Sequence, residues 1–297
     1  MPIEKDQVRQ TIVYLLFLSL VVVHSAMAQP KVEIKPDADS LTPQIGASPA
    51  NITVEIGARP ASGSIQLFNL STQPVAIHTT VANWDLDDQN NVRTIPPTAS
   101  SMDQWTVVSP VDFTIPPGKT QTVRFSIRPR ARPEEGESRV MIFFNQAPKE
   151  LVKDLGVKVL YRLGVPIYGL AGKINRQGTL HEIALNQQDG MVNLTFDISS
   201  TGNAGVRMDG QFVIWRKEDL GGRENPPMYI LSGKNMNIPQ EAVAAGMTPN
   251  TPVLAGTRRV IHNKVQMPTE PGEYVIITHG SLGDVEFSKS FAITVAR

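Results

Sequence analysis

The stretch from Lys119 to Pro129, KTQTVRFSIRP, alternates apolar and polar residues, and segments of the same kind recur along most of the chain. Val123, Phe125 and Ile127 fall on one face of an extended strand while Arg124 and Ser126 fall on the other, the pattern of a strand laid against a core with its back to water. NITVEIG, GSIQLFNLS, VAIHTTVANWD and SRVMIFFNQAP repeat it before residue 150. GMVNLTFDISSTGN, GQFVIWRK, TRRVIHNKVQMP, GEYVIITHG and VEFSKSFAITV repeat it after residue 190. Turn-forming clusters separate these segments, among them Gln73-Pro74, Asp87-Asp88-Gln89-Asn90-Asn91 and Pro116-Pro117-Gly118-Lys119. Half-buried strands that must turn back within a few residues pair as antiparallel sandwiches, so the fold class expected is all-β with Ig-like sandwiches. One interruption, Ile238 to Pro252, contains Glu241-Ala-Val-Ala-Ala245, which reads as a helical turn within a loop.

The pattern also breaks at LGVPIYGLAG, from Leu163 to Gly172, where Gly and Pro mix with apolar residues. Pro166 removes a ladder donor, which suits a strand end or a link. The chain also exceeds one typical sandwich domain and suits two. The expected division is residues 29–166 and 167–297, preceded by a signal peptide over residues 1–28. That leader carries Lys5 and Arg9, an apolar run from Ile12 to Val23, and Ala26-Met27-Ala28 before Gln29. The run is shorter than the roughly 20 residues that span a bilayer, which favours cleavage after Ala28 over an uncleaved anchor. Export out of the cytoplasm follows.

Composition narrows the function by exclusion. The sequence has no cysteine, which removes disulfides, thiol catalysis and Cys-based metal sites. Lys and Arg number 28 and Asp and Glu 28, without the basic excess that a nucleic-acid partner selects for. His78, His181, His262 and His279 are isolated from one another, with no H-x-x-x-H spacing to seat a metal. Asp85, Asp87 and Asp88 could suggest calcium, but they lack a complete oxygen-ligand loop and read better as a solvated acidic hairpin. No nucleophile elbow or phosphate-cradling loop is present. The reading is a binding protein and not an enzyme, with no metal, no cofactor and no small-molecule substrate.

One stretch stands out within this frame. GVKVLYRLGVPIYG, Gly156 to Gly169, carries Lys158 and Arg162 in an otherwise apolar run. In a strand of period two, 158, 160 and 162 share one face, and 157, 159, 161 and 163 the other. A wetted charged face explains this pairing as well as a binding site does.

The order of segments resembles the periplasmic pilus-assembly chaperones of the chaperone–usher pathway, in their broader, less typical membership. Four features carry the resemblance. Asn69 ends a strand before a polar turn, Trp84-Asp85 ends the next, an S-P-x-x-F-x-I-P-P-G-x-x-Q-x-V-R run spans Ser109 to Arg124, and a G-E-S-R strand runs from Gly136 to Pro148. The second half is similar as well, in LTFDISSTGNAGVRMDGQFVIWR, PVLAGTRRVI and EPGEYVIITHG. The resemblance implies two Ig-like domains joined at an angle, with a cleft between them. It implies that subunits of a pilus or other surface fibre, each lacking a strand, are held by strand addition and passed to an outer-membrane usher. By the same resemblance, the K-x-x-Y-R arrangement Lys158 to Arg162 makes Lys158 the holder of the subunit carboxylate. Arg162 becomes an interdomain bridge, paired with Glu137. Arg59 is the nearest candidate for the second cleft cation, with an ordinary loop arginine as the alternative. Leu155, Val157, Val159 and Tyr161 form the expected donor strand. Lys153 falls between Leu151 and Leu155, so the lent strand is either short or shifted at Gly156. An exported structural or adhesive protein with two Ig-like domains, and a hydrolase using Asp85 and Glu137, are the alternatives.

Overall fold

The computed structural model describes residues 45–147, 160–221 and 242–296. The signal peptide, Lys158 and the donor residues Leu155, Val157 and Val159 lie outside them. In chain order the strands are β1 (Ile45–Ser48), β2 (Ile52–Glu55), β3 (Ala61–Asn69), β4 (Val75–Ala82), β5 (Trp84–Leu86) and β6 (Val92–Thr94). A 3-10 turn, Met102–Trp105, precedes β7 (Thr106–Ser109), β8 (Asp112–Ile115), β9 (Thr120–Ile127), β10 (Gly136–Gln146) and β11 (Arg162–Ala171). There follow β12 (Gly178–Gln188), β13 (Met191–Ser200), β14 (Val206–Arg216), β15 (Ala242–Met247), β16 (Pro252–Val253), β17 (Arg258–Gln266), β18 (Gly272–Leu282) and β19 (Val285–Val295).

These strands make two β-sandwiches. In the first, a sheet of order β1-β3-β9-β7 faces one of order β2-β11-β10-β4-β8, and β5 and β6 form a separate ribbon. The alternation in β3 and β9 buries Ile65, Leu67, Val123, Phe125 and Ile127 against Ile77, Ile142, Phe144, Val165 and Ile167 of the facing sheet. In the second, β12-β13-β17 faces β15-β14-β18-β19. Strand β13 buries every second residue, placing Val192, Leu194, Phe196 and Ile198 against Met208, Ile214, Tyr274 and Ile276.

Two expectations meet a different local structure. Ala242–Met247 is a strand, paired with β14 from Gln211 to Trp215, and not a helical turn. Alanine's helix preference amounts to under ~1 kcal/mol per residue over most others, and here the small side chains serve pairing instead. Phe212 lies against the bare Gly246 backbone, where an added Cβ would come within 2.7 Å of its ring. The strand β11 runs through Pro166 to Ala171, so the division expected at 166/167 falls inside it. Pro166 costs no bond to β10, for a reason of parity. The Gln146 N–H donates to the Tyr161 carbonyl, so odd positions of β11 face β10 while even positions, Pro166 included, point to the opposite edge.

Asn69, at the end of β3, holds the first sandwich together at a point that apolar packing cannot reach. It is fully buried, donates to the carbonyls of Gln73 (2.7 Å) and Ile115 (2.9 Å), and accepts from the Ser71 amide and hydroxyl. The side chain thus satisfies a buried turn from both sides. Asn69→Ala leaves those groups without partners, and the expected loss of stability is about 1–3 kcal/mol, read by denaturant unfolding.

Candidate functional site

The site is built on β10 and β11. Strand β10 is buried on both faces: Val140, Ile142 and Phe144 enter the first sandwich core, while Met141 and Phe143 join Trp84, Leu86, Tyr168 and Leu254. Leu254 belongs to the second half of the chain, so this smaller apolar cluster joins the two sandwiches. Trp84 and Tyr168 meet edge to face with centroids 6.2 Å apart.

Arginines border the cluster. Arg207 of β14 donates to the Tyr168 hydroxyl (2.7 Å) and to the Asn250 carbonyl (2.6 Å) and side-chain oxygen (3.1 Å). Arg259 of β17 reaches the β5–β6 ribbon, donating to the carbonyls of Asp87 (2.7 Å) and Leu86 (3.0 Å). Asp85 lies within 3.6 Å of Arg93, 3.7 Å of Arg139 and 3.9 Å of Arg259. The acidic loop read from the sequence therefore divides in two. Asp87 caps its own turn, accepting from the amide and side chain of Asn91 and from the amide of Gln89, and these bonds hold its carboxyl below the usual range. Asp85, on the strand before it, is the shared counter-ion of three arginines.

Glu137 sits at the start of β10, beside a cleft of about 380 Å³ whose lining includes Tyr168, Arg176, Gly205 and Arg207. Burial pushes its carboxyl above the ordinary 4.5, opposed by the Gly205 amide and the guanidiniums of Arg176, Arg139 and Arg207. One carboxylate oxygen is buried without a hydrogen-bond partner. The expected pairing of Glu137 with Arg162 is not made. Glu137 stands opposite Leu170, and Arg162 stands opposite Asn145 at the other end of the strand pair. Parity along β11 was sound, but the register of a long hairpin was not contained in it. Arg162 instead stacks on Phe143, 3.5 Å from the ring centroid.

The remaining site residues are scattered. Tyr161 is 38% exposed and adjoins the start of β11. Arg59 is exposed in the turn between β2 and β3. Because Glu55 pairs with Leu170, that turn lies at the far end of β11 from Arg162, roughly 30 Å along the strand. Arg139, Tyr168, Arg207 and Arg259 carry the junction and were not singled out from the sequence. The signal that could have found the arginines is their placing within otherwise apolar strands.

The last element of the site is an edge. Strand β2 pairs in parallel with β11 only from Ile167 to Leu170. Between Arg162 and Pro166, no strand among the described residues occupies that side of β11. The N–H and carbonyl groups of Arg162 and Gly164 point into it by the alternation of the ladder.

Residues 46–167 match the family model for the N-terminal domain of the pili and flagellar-assembly chaperone PapD. Over that segment the resemblance to the pilus-assembly chaperones is borne out, and all four features that carried it in the first half of the chain start there. Among curated proteins none matches the chain by sequence. Similar solved structures include the YadV chaperone, at 10% identity and TM-score 0.42 over 83% of this chain and 99% of that one. The class 5 fimbriae chaperone CfaA is 12% identical, with TM-score 0.40 over 86% and 100%. A chain of the CsuC–CsuE chaperone-tip adhesion subunit pre-assembly complex of Acinetobacter baumannii is 12% identical, with TM-score 0.39 over 84% and 97%.

Two outcomes test the junction. Arg259→Ala strips the donors from Leu86 and Asp87 and is expected to cost about 1.5–3 kcal/mol in denaturant unfolding. Glu137→Gln probes the raised carboxyl. A folded-state value above 4.5 means that the native state holds its proton more tightly, so this group's contribution is complete below 4.5 and is lost as pH rises through the folded value. The variant is expected to be more stable than the parent at neutral pH, and the difference to vanish in melts recorded below pH 4.5.

Proposed function

We propose that the protein is a periplasmic chaperone for subunits of a pilus or related surface fibre, which it holds by strand addition at β11 and delivers to an outer-membrane usher. The observation that carries this reading is the edge from Arg162 to Val165, which no strand among the described residues pairs, within a segment that matches the pilus-chaperone family model. An open run of ladder groups gives affinity through main-chain hydrogen bonds, and side chains of alternate parity give specificity. Leu163, Val165 and Ile167 anchor β11 in its own core, so the edge is presented on a rigid strand.

In this reading the lent strand begins near Leu155 and continues through Val157, Val159 and Tyr161 into β11. Lys158, on the face of Arg162, takes the subunit carboxylate. Arg59, at the other end of β11, does not meet Arg162, which supports the loop-arginine alternative for it. The leader is removed after Ala28. The junction between domains lies in Gly172–Gln177, after β11 and before β12.

Lys158→Ala is expected to weaken subunit capture by about 1.5–3 kcal/mol, roughly ten- to a hundredfold in affinity. The measurement is recovery of a co-expressed subunit from the periplasm, with circular dichroism to show that the variant is folded. Full recovery by folded Lys158→Ala overturns the role of Lys158. Failure of the parent protein to recover any subunit favours a structural or adhesive protein instead.

A further inference from the structure

The outer face of β11, beside the open edge, is hollow. Even positions of the strand point there, and the two at the hollow carry little bulk: Gly164 has no side chain and Pro166 has a compact ring. The glycine leaves room for its neighbours on β10. A Cβ at 164 would stand 3.0 Å from the Met141 sulfur and 3.1 Å from a Phe143 ring carbon. Next to these residues is a pocket of about 410 Å³ walled by Trp84, Leu86, Met141, Pro166 and Tyr168, with Val92, 48% exposed, on the β6 side. It reaches Ala50 and Asn51, the residues that lead into β2.

That position matters because β2 closes the edge of β11 from Ile167 onward. A strand added at Arg162–Pro166 runs in line with β2 and ends against Asn51. Its alternate side chains project to the same face as Gly164 and Pro166, over the pocket. The chemistry of the walls decides what fits. Most are aliphatic, thioether or aromatic, Asn51, Asn90, Asn250 and Thr251 add neutral polar groups at the margin, and the one guanidinium lining the pocket, Arg207, is already bound to the Tyr168 hydroxyl and to Asn250. An acidic guest would lose its hydration with no free cation to receive it. A large apolar guest gains burial.

We propose that this pocket takes one large apolar side chain of the strand added to β11, and that it sets which segments the protein accepts. The proposal rests on the strand-addition reading above. The probes are short, soluble Thr/Val peptides flanked by Lys, identical except for a single Phe, Asp or no replacement, with the replacement walked along the chain. Two quantities are read: affinity, and hydrogen-exchange protection of the Arg162 and Gly164 amides. All binding peptides should protect both amides, and at one position Phe should bind about tenfold or more tightly than the parent peptide, with Asp weaker than the parent. The Phe ring should shift the Met141 methyl resonance, a signal that requires no variant. Val92→Trp, which fills the pocket, should abolish the preference for Phe.

Protection of both amides with no preference for Phe at any position, and no Met141 shift, overturns the pocket and leaves strand addition standing. A preference for Asp overturns the apolar assignment. Absence of protection by any peptide overturns strand addition and the pocket with it.

Discussion

The double burial of β10 is the constraint on which the rest of the structure depends. Its even-numbered residues from Val140 to Phe144 lie in the first sandwich core, and Met141 and Phe143 between them lie in the cluster that reaches Leu254. A strand held on both faces cannot shift its register without exchanging one apolar set for the other. The position of β11 follows, because it pairs with β10 along its full length. So does the open edge, which is the part of β11 that extends past β2.

Apolar contact brings the two sandwiches together, and the arginines define how they meet. Leu254, Phe143 and Trp84 supply burial without direction, whereas Arg207 and Arg259 each bind carbonyl or hydroxyl oxygens at fixed geometry. Buried charge is tolerated here because the guanidiniums are spread over several acceptors, with Asp85 as a nearby counter-ion. Glu137 is the costlier member. It is desolvated, and one of its oxygens has no partner, which makes it the group through which pH acts on the junction.

Much of the fold was legible from local pattern. Strands β3, β9, β13 and β18 read directly from alternation, since each has one face in a core and sheet side chains repeat every two residues. The resemblance in the first half rested on short runs around Asn69, Trp84, Ser109 and Gly136, all turn or strand-end positions where the backbone dictates the residue. Failures occurred where tertiary pairing outweighed local preference. Ala242–Met247 has helix-forming residues, yet the exposed edge of β14 recruits it as a strand. Pro166 resembles a terminator, yet it sits in a strand interior because its nitrogen faces the unpaired side.

By itself the sequence determined the class of fold, the strands that alternate against a single core, and the face on which Arg162 lies, because each of these depends on periodicity within a few residues. It did not determine which strands meet. The pairing of Glu137 with Leu170 and of Arg162 with Asn145 is a matter of the register between β10 and β11, which periodicity within either strand does not fix. The gathering of Arg93, Arg139 and Arg259 around Asp85 is likewise nonlocal, spanning both halves of the chain. Only the tertiary structure decided these contacts, since they arise when two cores that are each satisfied internally share the strip of apolar surface on β10.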